Sequence, residues 1–472
     1  VILFGWIAIA IAMFTLLTPR RAVLASYLIA WMFLPVAEIS MPGIPDLTKS
    51  TAASLGTLLG VLIFDPGSLR YLRPHLVDLP IVVWCIMPLV SAVENGYGAY
   101  DGASGCLQEF FTWGIPYMIG RMYFTSLDAL QDLAIAIIIG GLIYVPLCLF
   151  EIRFSPQLHR MVYGFHPSHF AMTIRYNSYR PMGFMRHGLM LGMWMTSASL
   201  LAIWLWRSRT IRVMYGMPMI VVAGILFCTA VLCRSTGAIA LLAGGLFTLF
   251  ALKYVRTSWA MVAVVMITPA YMVARTAGVW TGEDMVDAAA MLSQERARSL
   301  EGRLLNEDQL TARAMQRPLV GWGAWDRWRI FNEEGEDITV SDGMWVIAMG
   351  QTGLVGLTSL TMMLLLPVLL LIRRIGVRHW SLPASAPAAG LSMLLVLYSM
   401  DNLLNAMLNP IFVLIMGGLT GLYIRFPQER AMAMARLEAT RSAKKAVRLF
   451  LQNQPEMIAD DPPSASPSRR SA

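Results

Sequence analysis

Residues 275–342 read RTAGVWTGEDMVDAAAMLSQERARSLEGRLLNEDQLTARAMQRPLVGWGAWDRWRIFNEEGEDITVSD, the one long polar interval in a chain of 472 residues that is otherwise almost continuously apolar. The interval carries eight Arg and thirteen Asp or Glu, a net of −5, although the whole chain is +8 at pH 7. What surrounds it decides the fold class. A soluble domain has about 25% charged and 45–50% apolar residues, whereas here charged residues make up 14% and hydrophobic ones 57%. Apolar runs recur from Val1 to Ile424 with short polar breaks, and backbone groups in lipid must be satisfied within the segment, so the runs are read as helices. The expectation is an all-α polytopic membrane protein.

Working outward, spans are expected near 1–17, 22–37, 50–64, 79–93, 107–120, 131–149, 187–206, 213–232, 236–252, 259–274, 343–372, 387–405 and 409–424, twelve or thirteen transmembrane helices in all. Short loops rich in Lys and Arg stay in the cytoplasm. Thr18–Arg21, Asp65–Asp78, Arg207–Arg212, Lys253–Arg256 and Arg373–Arg378 all fall on one side if the spans alternate. Arg425–Arg448 reads as a basic amphipathic helix on that same leaflet, and the Pro/Ser-rich end after Gln452 as disordered. Residues 1–120 are read as N-terminal helices, 121–424 as the transmembrane core, and 425–472 as a basic cytoplasmic tail. No cleavable signal peptide is evident. The chain does not begin with Met and strict alternation puts Val1 outside, which points to a missing or miscounted N-terminal span. The five cysteines lie in or beside apolar segments with no CxxC pair, and read as small membrane-embedded side chains.

The same parity puts two loops on the opposite face: 151–186 and 275–342. The first breaks the charge rule. It holds Arg153, Arg160, Arg175, Arg180 and Arg186 against Glu151 alone, about +4 where positive charge is normally sparse. A planar guanidinium matches two phosphate oxygens and keeps its proton, so an anionic ligand is the reading, with snorkelling to lipid phosphates as the plainer account. His166-Pro167-Ser168-His169 lacks a third ligand at fixed spacing, so no metal is expected. His187, where the next span begins, is either a phosphate ligand or an interfacial histidine.

The long loop contains two helical stretches, Asp284–Arg298 and Gly302–Arg317, the second ended by Pro318. Arg303 and Arg317 mark the ends of one helical face. Trp322, Trp325 and Trp328 follow at every third residue, suited to the membrane interface or to stacking on sugar C–H surfaces.

These residues carry a resemblance. Arg180-Pro-Met-Gly183, then Arg186-His187-Gly188, then Ser235-Thr236-Gly237-Ala238 resemble the O-antigen ligase and O-antigen polymerase superfamily of membrane glycosyltransferases. So do Gly302-Arg303-Leu304, Arg317-Pro318-Leu319-Val320-Gly321-Trp322-Gly323, and Val340-Ser341-Asp342 leading into Met349–Leu357. The resemblance runs from about Arg121 to Gly421, and the order of motifs is more specific than any one of them. It implies a GT-C-like, metal-independent enzyme without a cofactor, acting on undecaprenyl-diphosphate-linked glycans at the periplasmic face of the bacterial inner membrane. Arg180 and Arg303 would bind the diphosphate. Ligases of that family typically carry a His where the long loop meets the next span; Asp342-Gly343 stands here, which tilts the expectation from ligase, transferring glycan to lipid A core, toward polymerase of O-antigen or exopolysaccharide. The partners expected are the bilayer, the lipid-linked glycan, a chain-length regulator and a flippase, with no nucleic acid.

Charge placement gives a mechanism of its own. Displacing a lipid diphosphate from a sugar C1 builds negative charge on the leaving oxygens and releases a proton from the acceptor hydroxyl. Arg180 and Arg303 are the candidates for the first, with Arg175, Arg186 or Arg317 in support and Trp322 as a sugar-facing group; Asp342 or His187 is the candidate base. Asp401, Asn402, Asn405 and Asn409, around the gap between the last spans, are expected to face the bundle interior, bonding helix to helix or lining a glycan path. Transport and cell-wall glycan polymerisation are the competing classes. The first lacks obvious broken inverted repeats, and the second, which this layout also resembles, has an essential Asp in a large extracytoplasmic loop for which Asp342 could be mistaken.

Overall fold

The computed structural model describes residues 1–41, 44–175, 178–255 and 257–427. Residues 1–424 form one compact unit. The basic tail expected over Arg425–Arg448 lies, from residue 428 onward, outside the described residues.

The first helices are α1 (Ile2–Leu16), α2 (Pro19–Phe33) and α3 (Lys49–Phe64), with a hairpin of β1 (Ile39–Met41) and β2 (Ile44–Leu47) between the last two. Pro19 starts α2 where its missing N–H costs nothing, and the Thr48 hydroxyl accepts the Thr51 N–H to cap α3. Next come α4 (Leu79–Glu94), then α5 (Ala99–Glu109) and α6 (Ile115–Tyr123), joined through a π-helical turn at Phe110–Gly114. The 28-residue α7 (Leu127–Phe154) leads into a loop containing α8 (Leu158–Tyr163) and the hairpin of β3 (Ile174–Arg175) and β4 (Ser178–Tyr179). After α9 (Gly188–Arg207) comes a hairpin of β5 (Val213–Met214) and β6 (Met217–Pro218). Then follow α10 (Met219–Leu232), α11 (Thr236–Val255) and α12 (Ser258–Thr276). The polar interval folds as α13 (Glu283–Leu292), α14 (Gln294–Ala314) and an irregular segment to α15 (Met344–Arg374); α16 (Ala386–Leu404) and α17 (Pro410–Pro427) close the bundle.

All thirteen apolar stretches overlap helix, and the protein is a multi-pass, all-α membrane protein. The span count differs from the twelve or thirteen expected: among the described residues, eight helices are long and apolar enough to cross a membrane. The reason is length. Helices α1, α2, α3 and α10 have 15, 15, 16 and 14 residues, and at about 1.5 Å per residue they reach only ~21–24 Å against a hydrocarbon core of ~30 Å; the stretch at 107–120 is divided between the 11-residue α5, the π-helical turn and the 9-residue α6. The central helices are α9 and α16, each 89% buried over its apolar window, while α12 is only 28% buried and turns most of its surface outward.

The end of the polar interval is fastened to α15 by backbone bonds. Gly353 interrupts α15 with φ 66° and ψ −166°, a conformation essentially confined to glycine. The break exposes carbonyls that a continuous helix would use internally. Trp322 N–H donates to Gly350 O at 2.8 Å, Gly323 N–H to Gln351 O at 3.0 Å, and Leu354 N–H to Pro318 O at 2.7 Å. The side chains of Ser91 and Asn95, at the end of α4, bond Gln351 O and Gly321 O, each at 3.0 Å, and brace the join. A Cβ at Gly353 would collide with the Leu319 carbonyl. Gly353→Ala is expected to lower stability by about 1–3 kcal/mol or more, measured by thermal unfolding in detergent. Gly224→Ala, in an open stretch of α10 with nothing near its Cβ, should be neutral or slightly stabilising.

Candidate functional site

Two loops build the site, and each is organised by a buried charge. In the last turn of α7, where the first loop begins, Glu151 is 1% exposed and accepts N–H bonds from Leu158 at 3.1 Å and from Met182 and Gly183 at 2.7 Å. The lone acid of the basic loop is therefore its folding centre. His159 works beside it: Nε2 accepts the Val36 N–H at 3.1 Å and Nδ1 donates to Phe165 O at 2.8 Å. Burial holds its imidazole below the ordinary range, which suits this neutral tautomer. Arg180 is drawn in by its backbone N–H, which donates to Thr173 O at 2.7 Å, and its side chain is 4% exposed. That side chain lies across the start of α9, where a Cβ on Gly188 would stand 2.7 Å from Arg180 Cδ. The glycine after Arg186-His187 is needed to seat the arginine of the preceding motif.

In the second loop Arg275, at the end of α12, is 5% exposed and reaches Glu307 at 3.4 Å, Asp308 and Leu304 O at 2.8 Å, and Thr281 O at 2.7 Å. Those bonds fix α14. One turn before Glu307, Arg303 Nε pairs with Asp342 Oδ2 at 3.2 Å, and its Nη1 donates to Leu404 O at 2.8 Å and Asn405 Oδ1 at 3.2 Å. Asn405 in turn donates to Asp401 at 2.8 Å. Burial pushes the Asp342 carboxyl above the ordinary range, and the Arg303 cation pulls against that shift.

The two arginines meet in one cavity of about 290 Å³, lined by Arg180, Arg234, Arg296 and Arg303, by Glu295, and by Ser235–Gly237 at the start of α11. Its charged lining is four guanidiniums against one carboxylate, and the N-terminus of the 20-residue α11 adds a positive dipole end. Such a lining suits a diphosphate or a similar anion. Asp342 stands next to it through Arg303, in a small hollow also lined by Glu307 and Gly343.

The other residues named from the sequence lie apart. His187 caps α9, its Nδ1 accepting the Leu189 N–H at 3.1 Å, and Arg186 is exposed. Arg175 is in β3, with its side chain outside the described residues. Arg317 bonds Asn95 and sits 4.6 Å from the Trp322 ring centroid, with Arg313 at 3.5 Å from the same ring. That stack braces the join to α15. Arg234 and Arg296 were missed. Arg296 had a signal, since it lies seven residues before Arg303 and hence on the same helical face. Arg234 immediately precedes the Ser235-Thr236-Gly237-Ala238 motif and takes a left-handed backbone, φ 53°.

Gly188→Ala is expected to unseat Arg180 while leaving the fold intact. Pyrophosphate binding, measured by calorimetry on protein in nanodiscs, should weaken about ten-fold with no large change in the unfolding midpoint. Comparison with models of known protein families gave no match, and no curated protein proved similar in sequence.

Proposed function

We propose that the chain is a membrane-embedded glycosyltransferase that polymerises undecaprenyl-diphosphate-linked oligosaccharide repeats into O-antigen or exopolysaccharide at the periplasmic face of the inner membrane. The observation that carries the reading is the convergence of Arg180 and Arg303, from separate loops, in one basic cavity with the Asp342 carboxylate beside it. In the reaction the C1–O bond to the lipid diphosphate breaks and its electron pair leaves with the diphosphate. The acceptor hydroxyl oxygen forms the new bond to C1, and its proton passes to a base. Fixed guanidiniums stabilise charge developing on the leaving oxygens without reorganising.

Asp342 fits the base better than His187. With Nδ1 accepting the Leu189 N–H, a neutral His187 carries its proton on Nε2 and is a donor there. Asp342, raised by burial, lies closer to the pH at which a general base works best. The acid at 342, where the ligases of the resembling superfamily typically carry His, favours polymerisation over transfer to lipid A core.

The test is polymer formation in vitro from purified lipid-linked repeat. Arg303→Ala should lower the rate about 10²–10³-fold with normal expression; full activity would overturn the assignment. Because a base works only when ionised, the acid limb of the pH–rate profile should lie above the range of a solvent-exposed aspartate. Arg303→Gln removes the cation that opposes the upward shift, so the residual activity of that variant should show the limb moved to still higher pH.

A further inference from the structure

A second cavity, of about 230 Å³, is lined by Glu38 and Asp46 from the β1–β2 hairpin region, Trp84 and Pro88 of α4, Gln108 and Glu109 of α5, Ala324 and Trp325 of the polar interval, and Gln351 and Thr352 of α15. It shares the loop face with the arginine cavity, since Trp325 belongs to the same interval as Arg303. Its chemistry is the opposite: three carboxylates and no cation line it. Among the described residues no three His, Cys, Asp or Glu side chains converge as metal ligands.

Three further features mark the cavity. Gln108 Oε1 is shielded from solvent and, among the described residues, receives no hydrogen bond. Glu109 is oriented by the Trp84 Nε1–H, which donates to Oε2 at 2.8 Å. Trp325 is 57% exposed, whereas Trp328 is buried and Trp322 is held between arginines. Its backbone is left-handed at φ 62°, as is that of Asp326 at φ 60°, and the Arg327–Asp101 pair at 2.6 Å ties this turn to α5. The indole is thereby held at the cavity wall with its ring open to solvent.

We infer that this cavity binds an uncharged or amino sugar residue of the acceptor glycan, an inference that rests on the glycosyl-transfer reading above. Carboxyl oxygens accept hydrogen bonds from sugar hydroxyls or an ammonium, and an open indole packs on pyranose C–H groups. The negative charge of Glu38 and Asp46 disfavours uronic acids and phosphates. The volume lies below the ~300–1,000 Å³ of pockets for drug-sized ligands, which fits one ring or two rather than a long glycan. Gln351 is eight residues beyond Gly343 on α15, about 12 Å along the helix, a distance that an oligosaccharide can bridge to Asp342. On this reading the diphosphate of the donor and the sugar end of the acceptor are held in separate cavities of opposite charge.

Saturation-transfer difference NMR on the full chain in nanodiscs tests this with glucose, glucosamine, N-acetylglucosamine and glucuronate as probes. Saturable transfer to at least one of the first three, little to glucuronate, and a loss of about five-fold in affinity for Trp325→Ala are expected. Trp325→Tyr should retain binding. No transfer to any probe, glucuronate binding as well as the others, or an unchanged Trp325→Ala would each overturn the proposal. Arg303→Ala, which tests the transfer reading, should bind the sugars as the wild type does; loss of sugar binding in that variant would show that the two cavities are not separate sites and would also overturn it.

Discussion

The loop face depends on one buried guanidinium. Taking a cation out of water costs several kcal/mol unless every donor is met, and Arg275 meets that demand with five acceptors: the carboxylates of Glu307 and Asp308 and the carbonyls of Trp280, Thr281 and Leu304. The acceptors come from the entry of the polar interval and from the middle of α14. The excursion through α13 is thereby closed on itself, and the rotation of α14 is set. Glu307 extends the arrangement by accepting from Tyr271 at 2.8 Å and Trp345 at 3.4 Å, which ties α14 to α12 and α15. With that rotation fixed, Arg296 and Arg303 face the cavity, and Arg303 is carried to Asp342.

The acidic balance of the polar interval follows from the same demand. Asp308 and Glu307 answer Arg275, Asp326 and Asp337 answer Arg329, and Asp342 answers Arg303. Much of the surplus acid is spent neutralising arginines that hold the fold. The functional polarity of this face is local: one basic cavity and one acidic cavity, each small, within an interval whose overall charge describes neither.

How much of this could be read in the sequence depends on whether spacing along the chain carried the information. Helix positions were legible because apolar runs and helices coincide, and Arg180, Arg303 and Asp342 emerged because a superfamily-like order of motifs links distant segments. The number of spans was not, since a 14- to 16-residue apolar helix looks like a span until its length is set against the bilayer. Arg317 and Trp322 looked like site residues because their types suit sugar phosphates, but they stack on each other to secure the kink at Gly353. Glu151 was conspicuous only as an exception to a charge count. Its role, gathering three backbone N–H groups, depends on loop geometry that no spacing encodes.

Arg303 carries two duties that bear on each other. In the free protein its guanidinium is shared among Asp342, Asn405 and the Leu404 carbonyl, and it opposes the upward pull of burial on the Asp342 carboxyl. On the proposed reading, a diphosphate seated in the basic cavity competes for the same guanidinium. Whatever share of the cation the donor takes is withdrawn from Asp342, whose proton affinity then rises. The base would be strongest when the leaving group is in place and weaker when the cavity is empty, which couples proton acceptance to donor binding through one side chain without a moving part.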